Sequence, residues 1–312
     1  MLIPRCLVVG EALVDVVDGV PHAGGSPMNI AVGLARLGLD TRLLTRIGDD
    51  EFGRLLDEHL VREGVALTAA SLRVGERTSR ATAAIGVDGA AVYDFDIEWT
   101  LSESAAIAEA AEAEVIHVGS IGASLEPGAN AVHAMLRTVS SRALRTYDPN
   151  IRPALLGPRA AAVARVEAIM AASHVVKLSD EDADWLYPGR AIGEVLAHVL
   201  DLGARVVVVT RGGEGCITAI AGAEEPVTRR ASPATVVDTI GAGDAFMSGL
   251  VYGIVSAGLI PELTADVFAP DGDVLSALEE AADAALASAA VAVSRTGAAP
   301  PRLHELEQRS VS

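Results

Sequence analysis

The sequence predicts an α/β fold in which a mainly parallel central sheet is covered by helices, and three observations point to it. Short apolar runs closed by turn residues alternate with Ala/Leu-rich amphipathic stretches of helical length. The spacing between successive runs suits right-handed crossovers from one parallel strand to the next. With 312 residues, 50% hydrophobic and 21% charged, the chain is long enough to bury both faces of such a sheet. At about 150 residues per domain, the length allows two domains or one large domain with an appendage.

Strands are predicted at residues 6–9, 42–45, 115–118, 145–147, 174–177 and 206–210, and helices at 27–37, 51–63, 128–139 and 193–202. Cys6-Leu7-Val8-Val9 is apolar throughout and closed by Gly10, as a strand buried on both faces should be. Pro27 suits the first turn of the helix it opens. Val206-Val207-Val208-Val209 is a run of four β-branched residues. One region breaks the rhythm. Residues 78–85 and 91–97 flank Val87-Asp88-Gly89 and read as two strands around an Asp-Gly hairpin turn. Thr78, Arg80 and Thr82 alternate with small apolar residues on the first arm, and Tyr93 and Phe95 share a face on the second. In a parallel α/β chain such a hairpin is a sheet edge or a flap over a site. A polar tail follows Pro301.

Composition excludes several function classes. Lys and Arg number 24 against 42 Asp and Glu, a formal charge of −18. A surface this acidic repels nucleic acid and anionic membranes. The chain has a single lysine, Lys177, and it follows Val176, so no Gly-Lys-Ser/Thr phosphate loop exists. Cys6 and Cys216 are too few for a disulfide framework or a cysteine-based zinc site and read as buried free thiols. There is no 18-residue apolar run, and the opening apolar stretch is too short for a signal peptide. The expectation is a soluble, cytoplasmic protein.

Two segments carry chemistry. In Val237-Asp238-Thr239-Ile240-Gly241-Ala242-Gly243-Asp244-Ala245-Phe246, three residues with almost no side chain precede an apolar stretch of helical length. A ligand can approach their backbone N–H groups, and a helix N-terminus favours an anion there. Asp244, in the same first turn, stands where a carboxylate could take a proton while the amides hold a phosphoryl group. Taken alone, the pattern equally fits an aspartate capping a helix after a glycine turn. In Gly24-Gly25-Ser26-Pro27-Met28-Asn29, the glycine pair permits close backbone approach and Asn29 projects one turn into a helix, offering a donor and an acceptor to a hydroxylated ligand. Alone, this too is an ordinary loop-to-helix junction.

Together, in this order and at this separation, the two segments resemble the signatures of the ribokinase-like, PfkB-type carbohydrate kinases. The likeness extends over nearly the whole chain. It takes in Gly10-Glu11-Ala12-Leu13-Val14-Asp15, Gly48-Asp49-Asp50-Glu51-Phe52-Gly53, Tyr147-Asp148-Pro149-Asn150-Ile151-Arg152-Pro153, Val176-Lys177-Leu178-Ser179-Asp180-Glu181-Asp182 and Val209-Thr210-Arg211-Gly212-Gly213-Glu214-Gly215. The resemblance implies a three-layer α/β/α kinase domain over residues 1–304. Its small β-strand lid would come from about 11–24 and 74–98, with a polar tail over 305–312. It implies ATP-dependent phosphoryl transfer to a sugar hydroxyl. Asp244 matches the catalytic base, and Gly241, Ala242 and Gly243 match the anion hole. Asp15, Gly25 and Asn29 match positions that hold sugar hydroxyls, and Phe95 or Tyr93 could pack on the sugar face. Arg152 is a candidate contact to phosphate or to an acidic sugar. On the nucleotide side stand Lys177, Thr210, Gly212 and Gly215. Many members carry Asn-x-x-Glu for magnesium, where this chain has Ser179-Asp180-Glu181-Asp182, leaving Asp182 as the Mg2+ carboxylate. A monovalent cation, K+ in particular, is implied near Asp238 and Gly297, and a homodimer through the lid.

Within the family, Tyr93-Asp94-Phe95-Asp96 and Asp148-Pro149-Asn150-x-Arg152-Pro153 are most like bacterial fructokinases. A 2-keto-3-deoxygluconate kinase shares the second motif and would need cations such as Arg80 in its pocket. A nucleoside kinase suits a chain with 3% aromatics less well. A non-catalytic sugar- or nucleotide-binding regulator would be marked by loss of the base or the glycines, all of which are present. A Rossmann dehydrogenase fails because Gly241-Ala242-Gly243 lacks the third glycine and lies far from the first strand. An acidic chain that binds ATP must hold its phosphates locally, by amides, magnesium and a few cations.

Overall fold

The structure, a computed structural model, describes residues 3–85 and 91–310. Its strands in chain order are β1 (Arg5–Val9), β2 (Leu13–Val17), β3 (Val20–Gly24), β4 (Asp40–Leu44), β5 (Ile47–Gly48), β6 (Ala66–Leu67), β7 (Leu72–Arg73), β8 (Arg80–Ile85), β9 (Ala91–Asp96), β10 (Val115–Gly119), β11 (Leu144–Asp148), β12 (Val175–Ser179), β13 (Val206–Thr210), β14 (Cys216–Ile220) and β15 (Val227–Arg229). A nine-stranded sheet runs β15-β14-β13-β12-β11-β10-β1-β4-β6. It is parallel from β6 to β13 and turns antiparallel at β14 and β15.

Helices cover both faces, and the period of two along each strand divides the core between them. Cys6 and Val8 of β1 join one apolar cluster, while Leu7 and Val9 join the other. The valines of β13 split the same way, 206 and 208 against 207 and 209. That division is why these strands read as unbroken apolar runs.

One layer places the site. The helix Ala242–Ser256 packs between the helices Ser26–Arg36 and Gly272–Ala292. Glycines set these approaches: a Cβ on Gly33 would stand 2.3 Å from Ser248 Oγ, and one on Gly253 2.7 Å from Ala281 Cα.

The predicted elements are present with shifted ends. The first long helix spans Ser26–Arg36 with Pro27 in its first turn. The strand expected at 174–177 begins one residue later, because His174 is tied to Arg145 below the sheet through both ring nitrogens. The hairpin's first arm begins at Arg80; Thr78 is buried instead, donating its hydroxyl to Asp50 at 2.6 Å. The Val87-Asp88-Gly89 turn lies outside the described residues. The hairpin joins a second sheet, β3-β2-β8-β9, in which β2 pairs parallel to β8 and the other pairs are antiparallel. The expected polar tail is a correction: Leu303–Ser310 is a helix, held by buried Leu306 and by ion pairs from Arg295 to Glu305 and from Arg302 to Glu63. Both cysteines are free and buried. Among the described residues no helix is long and apolar enough to cross a membrane.

Candidate active site

Parallel strands end together, and their carboxyl ends are where an open α/β sheet binds ligands. Here Gly119 is in register with Asp148, and Ser179 with Thr210. Against this edge stands the N-terminus of the helix Ala242–Ser256. Gly241 caps it at φ 72°, a left-handed conformation, and its missing side chain is also required because a Cβ would lie 2.7 Å from Ala298 Cβ. No side chain caps this end. Its first-turn amides, expected from the sequence to face an anion, are therefore left to the backbone, with the Ala242 N–H directed back to the Thr239 carbonyl at 3.2 Å.

Asp244 is buried in the first turn of that helix. Ser26 Oγ donates to its Oδ1 at 2.6 Å, and Asn29 Nδ2 donates to its Oδ2 at 2.8 Å. Burial raises its pKa, and the two hydrogen bonds with the charges of Lys177 and Arg152 only partly offset that. A carboxylate raised in this way is a better proton acceptor than an exposed one. Asn29, expected on a sugar hydroxyl, here donates its amide nitrogen to Asp244. Ser26 does the same work, and the sequence reading missed it although it lies inside the Gly24-Gly25-Ser26-Pro27 motif. Gly25, at φ 106°, is explained by backbone packing, since a Cβ there would meet the Glu11 carbonyl at 2.7 Å.

The second sheet supplies another face. Register puts His22, Asp15, Ala81 and Phe95 in one row across β3, β2, β8 and β9, so their side chains share a face. The Asp15 carboxylate lies over Gly24, where a Cβ would stand 2.1 Å from Oδ2. Burial raises the Asp15 pKa, against the charges of His22 and Arg152. Phe95 packs on Leu13, Ala81 and Ile121, with Leu125 and Leu155 alongside. Ile121, Leu125 and Leu155 also line a recess with Ser120, Pro149 and Arg152. Arg152 is exposed, and its charge lowers the pKa of Glu11, Asp15 and Asp244 alike. Arg80, one residue from Ala81, belongs to the opposite face and pairs with Asp96 at 3.3 Å.

Beside the glycine turn, Lys177 and Asp148 form a buried ion pair at 2.9 Å, and a Cβ on Gly243 would stand 3.1 Å from Lys177 Nζ. Burial alone would lower the Lys177 pKa, but Asp148, Asp182 and Asp244 outweigh it and hold it above its ordinary value. Asp182 has a task the sequence did not suggest. Its Oδ1 accepts from the Ile151 N–H at 2.7 Å and its Oδ2 from the Ser179 N–H at 2.9 Å, while Ser179 Oγ accepts from the Asp182 N–H in a capping box. This ties the loop after β11 to the end of β12. Among the described residues no group of three or more His, Cys, Asp or Glu could hold a metal ion by itself.

Thr210, at the end of β13, donates to the Leu178 carbonyl at 3.3 Å. Gly212 and Gly215 follow at φ 49° and 97°, and Gly215 packs on the 229–231 backbone with 2.0 Å left for a Cβ. Asp238 accepts from the Ile240 and Gly297 N–H groups at 3.0 and 2.8 Å, which lower its pKa, and so ties the segment before the glycine turn to residue 297.

Known proteins share this arrangement. The family model described as pfkB family carbohydrate kinase matches residues 4–305. Over 258 residues the chain is 33% identical to a fructokinase of Rhizobium leguminosarum bv. trifolii, covering 78% of each protein. The structure of fructokinase from Vibrio cholerae O395, in its fructose, ADP and calcium ion bound form, matches with a TM-score of 0.77 at 26% identity, covering 97% of this chain and 96% of the other. Ribokinase from Thermotoga maritima, at 19% identity, shares the fold with a TM-score of 0.76 over the full length of both chains. The family match takes in both Asp244 with its glycine turn and the strands that carry Asp15 and Phe95, and the chain belongs to the pfkB family of carbohydrate kinases.

Proposed function

We propose that this carbohydrate kinase is an ATP-dependent fructokinase. The observation that carries the reading is the buried Asp244 carboxylate, held by Ser26 and Asn29 at the open N-terminus of the glycine-turn helix. The sugar hydroxyl oxygen attacks the γ-phosphorus of ATP, its proton passes to Asp244, and the bond from phosphorus to the β–γ bridging oxygen breaks to release ADP. Gly241, Ala242 and Gly243 provide the backbone approach that holds the transferring group in line. Asp15 and Phe95 offer the sugar a carboxylate for its hydroxyls and an apolar ring for its carbon face. Closure of the lid, about 11–24 and 74–98, over the kinase domain would exclude water and limit idle ATP hydrolysis.

Charge supports a neutral sugar. Asp15, Asp244 and Glu11 surround the face, with Arg152 the cation set among them, while Arg80 points to the other side of its sheet. A sugar acid would bring a second carboxylate into this field, which disfavours 2-keto-3-deoxygluconate. The fructokinase relative and the fructose-bound neighbour agree with that choice.

Magnesium fits the phosphate side, where Asp148 Oδ1 is a buried carboxylate oxygen without a hydrogen-bond partner. Asp148 and the remaining lone pairs of Asp182 would hold the ion through its waters. When bound, it neutralises charge on the ATP phosphates. Asp238 and the 293–297 backbone it meets form the corresponding candidate for a potassium ion. Exposed Val17 and Val20 on the second sheet support a homodimer through the lid. We place the enzyme in the cytoplasm, where its free thiols stay reduced.

The test is ADP release by purified protein with fructose, 2-keto-3-deoxygluconate, ribose, tagatose and adenosine. Fructose should give the highest kcat/KM. Turnover of 2-keto-3-deoxygluconate without turnover of fructose would move the assignment to the sugar acid. No ADP above the sugar-free blank would make the chain a binding protein.

A further inference from the structure

Asp148 is buried at the end of β11, and besides the Oδ1 it would offer magnesium it has its other oxygen on Lys177. An ammonium has three donors, and Asp148 takes one of them. Gly243 lies beside Nζ, since a Cβ there would stand 3.1 Å away, so its missing side chain leaves room between the ammonium and the glycine turn. We propose that Asp148 is a positioning residue that holds the Lys177 ammonium against the anion hole, where it donates to the transferring phosphoryl group. The inference rests on the kinase reading and adds to it a role for the Asp148 oxygen that faces Lys177.

The geometry explains why an anchor is needed. Lys177 sits on a flexible four-carbon stem and is faced by four titratable groups. Asp148 comes from β11, Asp182 from the helix Asp180–Leu186, Asp244 from the helix Ala242–Ser256, and His117 from β10. Asp182 is engaged by two backbone amides, and His117 is a neutral imidazole because burial and Lys177 push its pKa down to about 3. That leaves Asp148 and Asp244 as rivals for the ammonium. A lysine paired with Asp244 would lower the basicity of the group that must accept the sugar's proton. Held on Asp148 instead, the same charge stands beside the glycine turn, where negative charge must be accommodated. An unanchored lysine loses that geometry, and a displacement of about 1 Å at a reacting centre costs on the order of 10²-fold in rate.

The experiment uses full-length Asp148→Asn, Lys177→Met and the double variant, with fructose and ATP saturating. Asp148→Asn should lower kcat roughly tenfold to a hundredfold while KM for fructose stays within about twofold. On the Lys177→Met background, Asp148→Asn should lower kcat by less than about twofold further. Wild-type kcat, or fully additive losses, overturns the proposal and leaves the kinase assignment standing. If Asp148→Asn fails to fold, the apolar pair Asp148→Leu with Lys177→Met removes both charges. Near-wild-type kcat in that pair overturns the proposal, and loss of kcat at unchanged KM supports it. Wild-type protein that releases no ADP with any sugar overturns both readings.

Discussion

Replacing Asp244 by asparagine separates its chemical role from its structural one. The carboxylate receives hydrogen bonds from Ser26 Oγ at 2.6 Å and Asn29 Nδ2 at 2.8 Å. An amide of the same shape keeps one oxygen for Asn29 and presents its nitrogen to Ser26, whose hydroxyl can turn to accept. Two charge-assisted bonds, each worth about 1.5–3 kcal/mol, become two neutral ones of about 1 kcal/mol. The variant no longer buries a charge, which offsets much of that loss. A net change of about 1–2 kcal/mol moves the melting temperature by a few degrees at most. Catalysis loses its proton acceptor outright. General-base assistance is worth about 10²- to 10⁴-fold, or about 3–5 kcal/mol of barrier. The assay pairs initial rates of ADP release at saturating fructose with calorimetric titration of fructose and a thermal melt. The expected result is a folded protein with near-normal fructose affinity and kcat down by at least 10²-fold. A folded variant within tenfold of wild-type kcat would place the base elsewhere. A loss of affinity as large as the loss of rate would make Asp244 a binding group.

Two further substitutions test the electrostatics. Ser26→Ala removes a hydrogen bond that lowers the Asp244 pKa, so that pKa rises and the acid limb of kcat/KM moves to higher pH; an unmoved limb would mean that Asp244 does not govern it. Glu11, whose Oε2 accepts from the Gly122 N–H at 2.8 Å, is pushed by burial from 4.5 up to about 7. The folded state therefore keeps this proton where the unfolded chain has lost it, and stability falls as pH rises from about 4.5 to 7. Glu11→Gln cannot titrate, so its melting temperature should gain on the wild type across that window, by up to about 3 kcal/mol; a difference constant from pH 5 to 8 would sink the argument.

Much of the site was legible before any coordinates, for local reasons. Gly241, Ala242 and Gly243 read as a glycine turn before a helix, and Asp244 as a first-turn carboxylate, from the identity of a few neighbouring residues. The strands were legible because a buried parallel strand must be apolar on both faces. One misreading has an equally physical origin. Residues 305–312 look like a polar tail, but Leu306 and the ion pairs of Glu305 and Arg302 make Leu303–Ser310 a docked helix. Nothing near Asp182 in sequence shows that the Ile151 N–H, 31 residues away, takes one of its oxygens.

What the sequence determined by itself is the class of chemistry: a glycine turn for an anion, a carboxylate beside it, no phosphate loop, and a single lysine in an acidic chain. What only the tertiary structure decided is which groups act together. Ser26 meets Asp244 across 218 positions, and Lys177 meets Asp148 across 29, because two helices and two neighbouring strands bring their ends to one edge. Register alone turns Asp15 and Phe95 to the same face and Arg80 to the other, since a shift of one residue reverses the face. Residue type is a local property that composition and spacing carry. Proximity comes from long-range packing, and it is proximity that makes Asp244 a candidate base and sets Lys177 beside the anion hole.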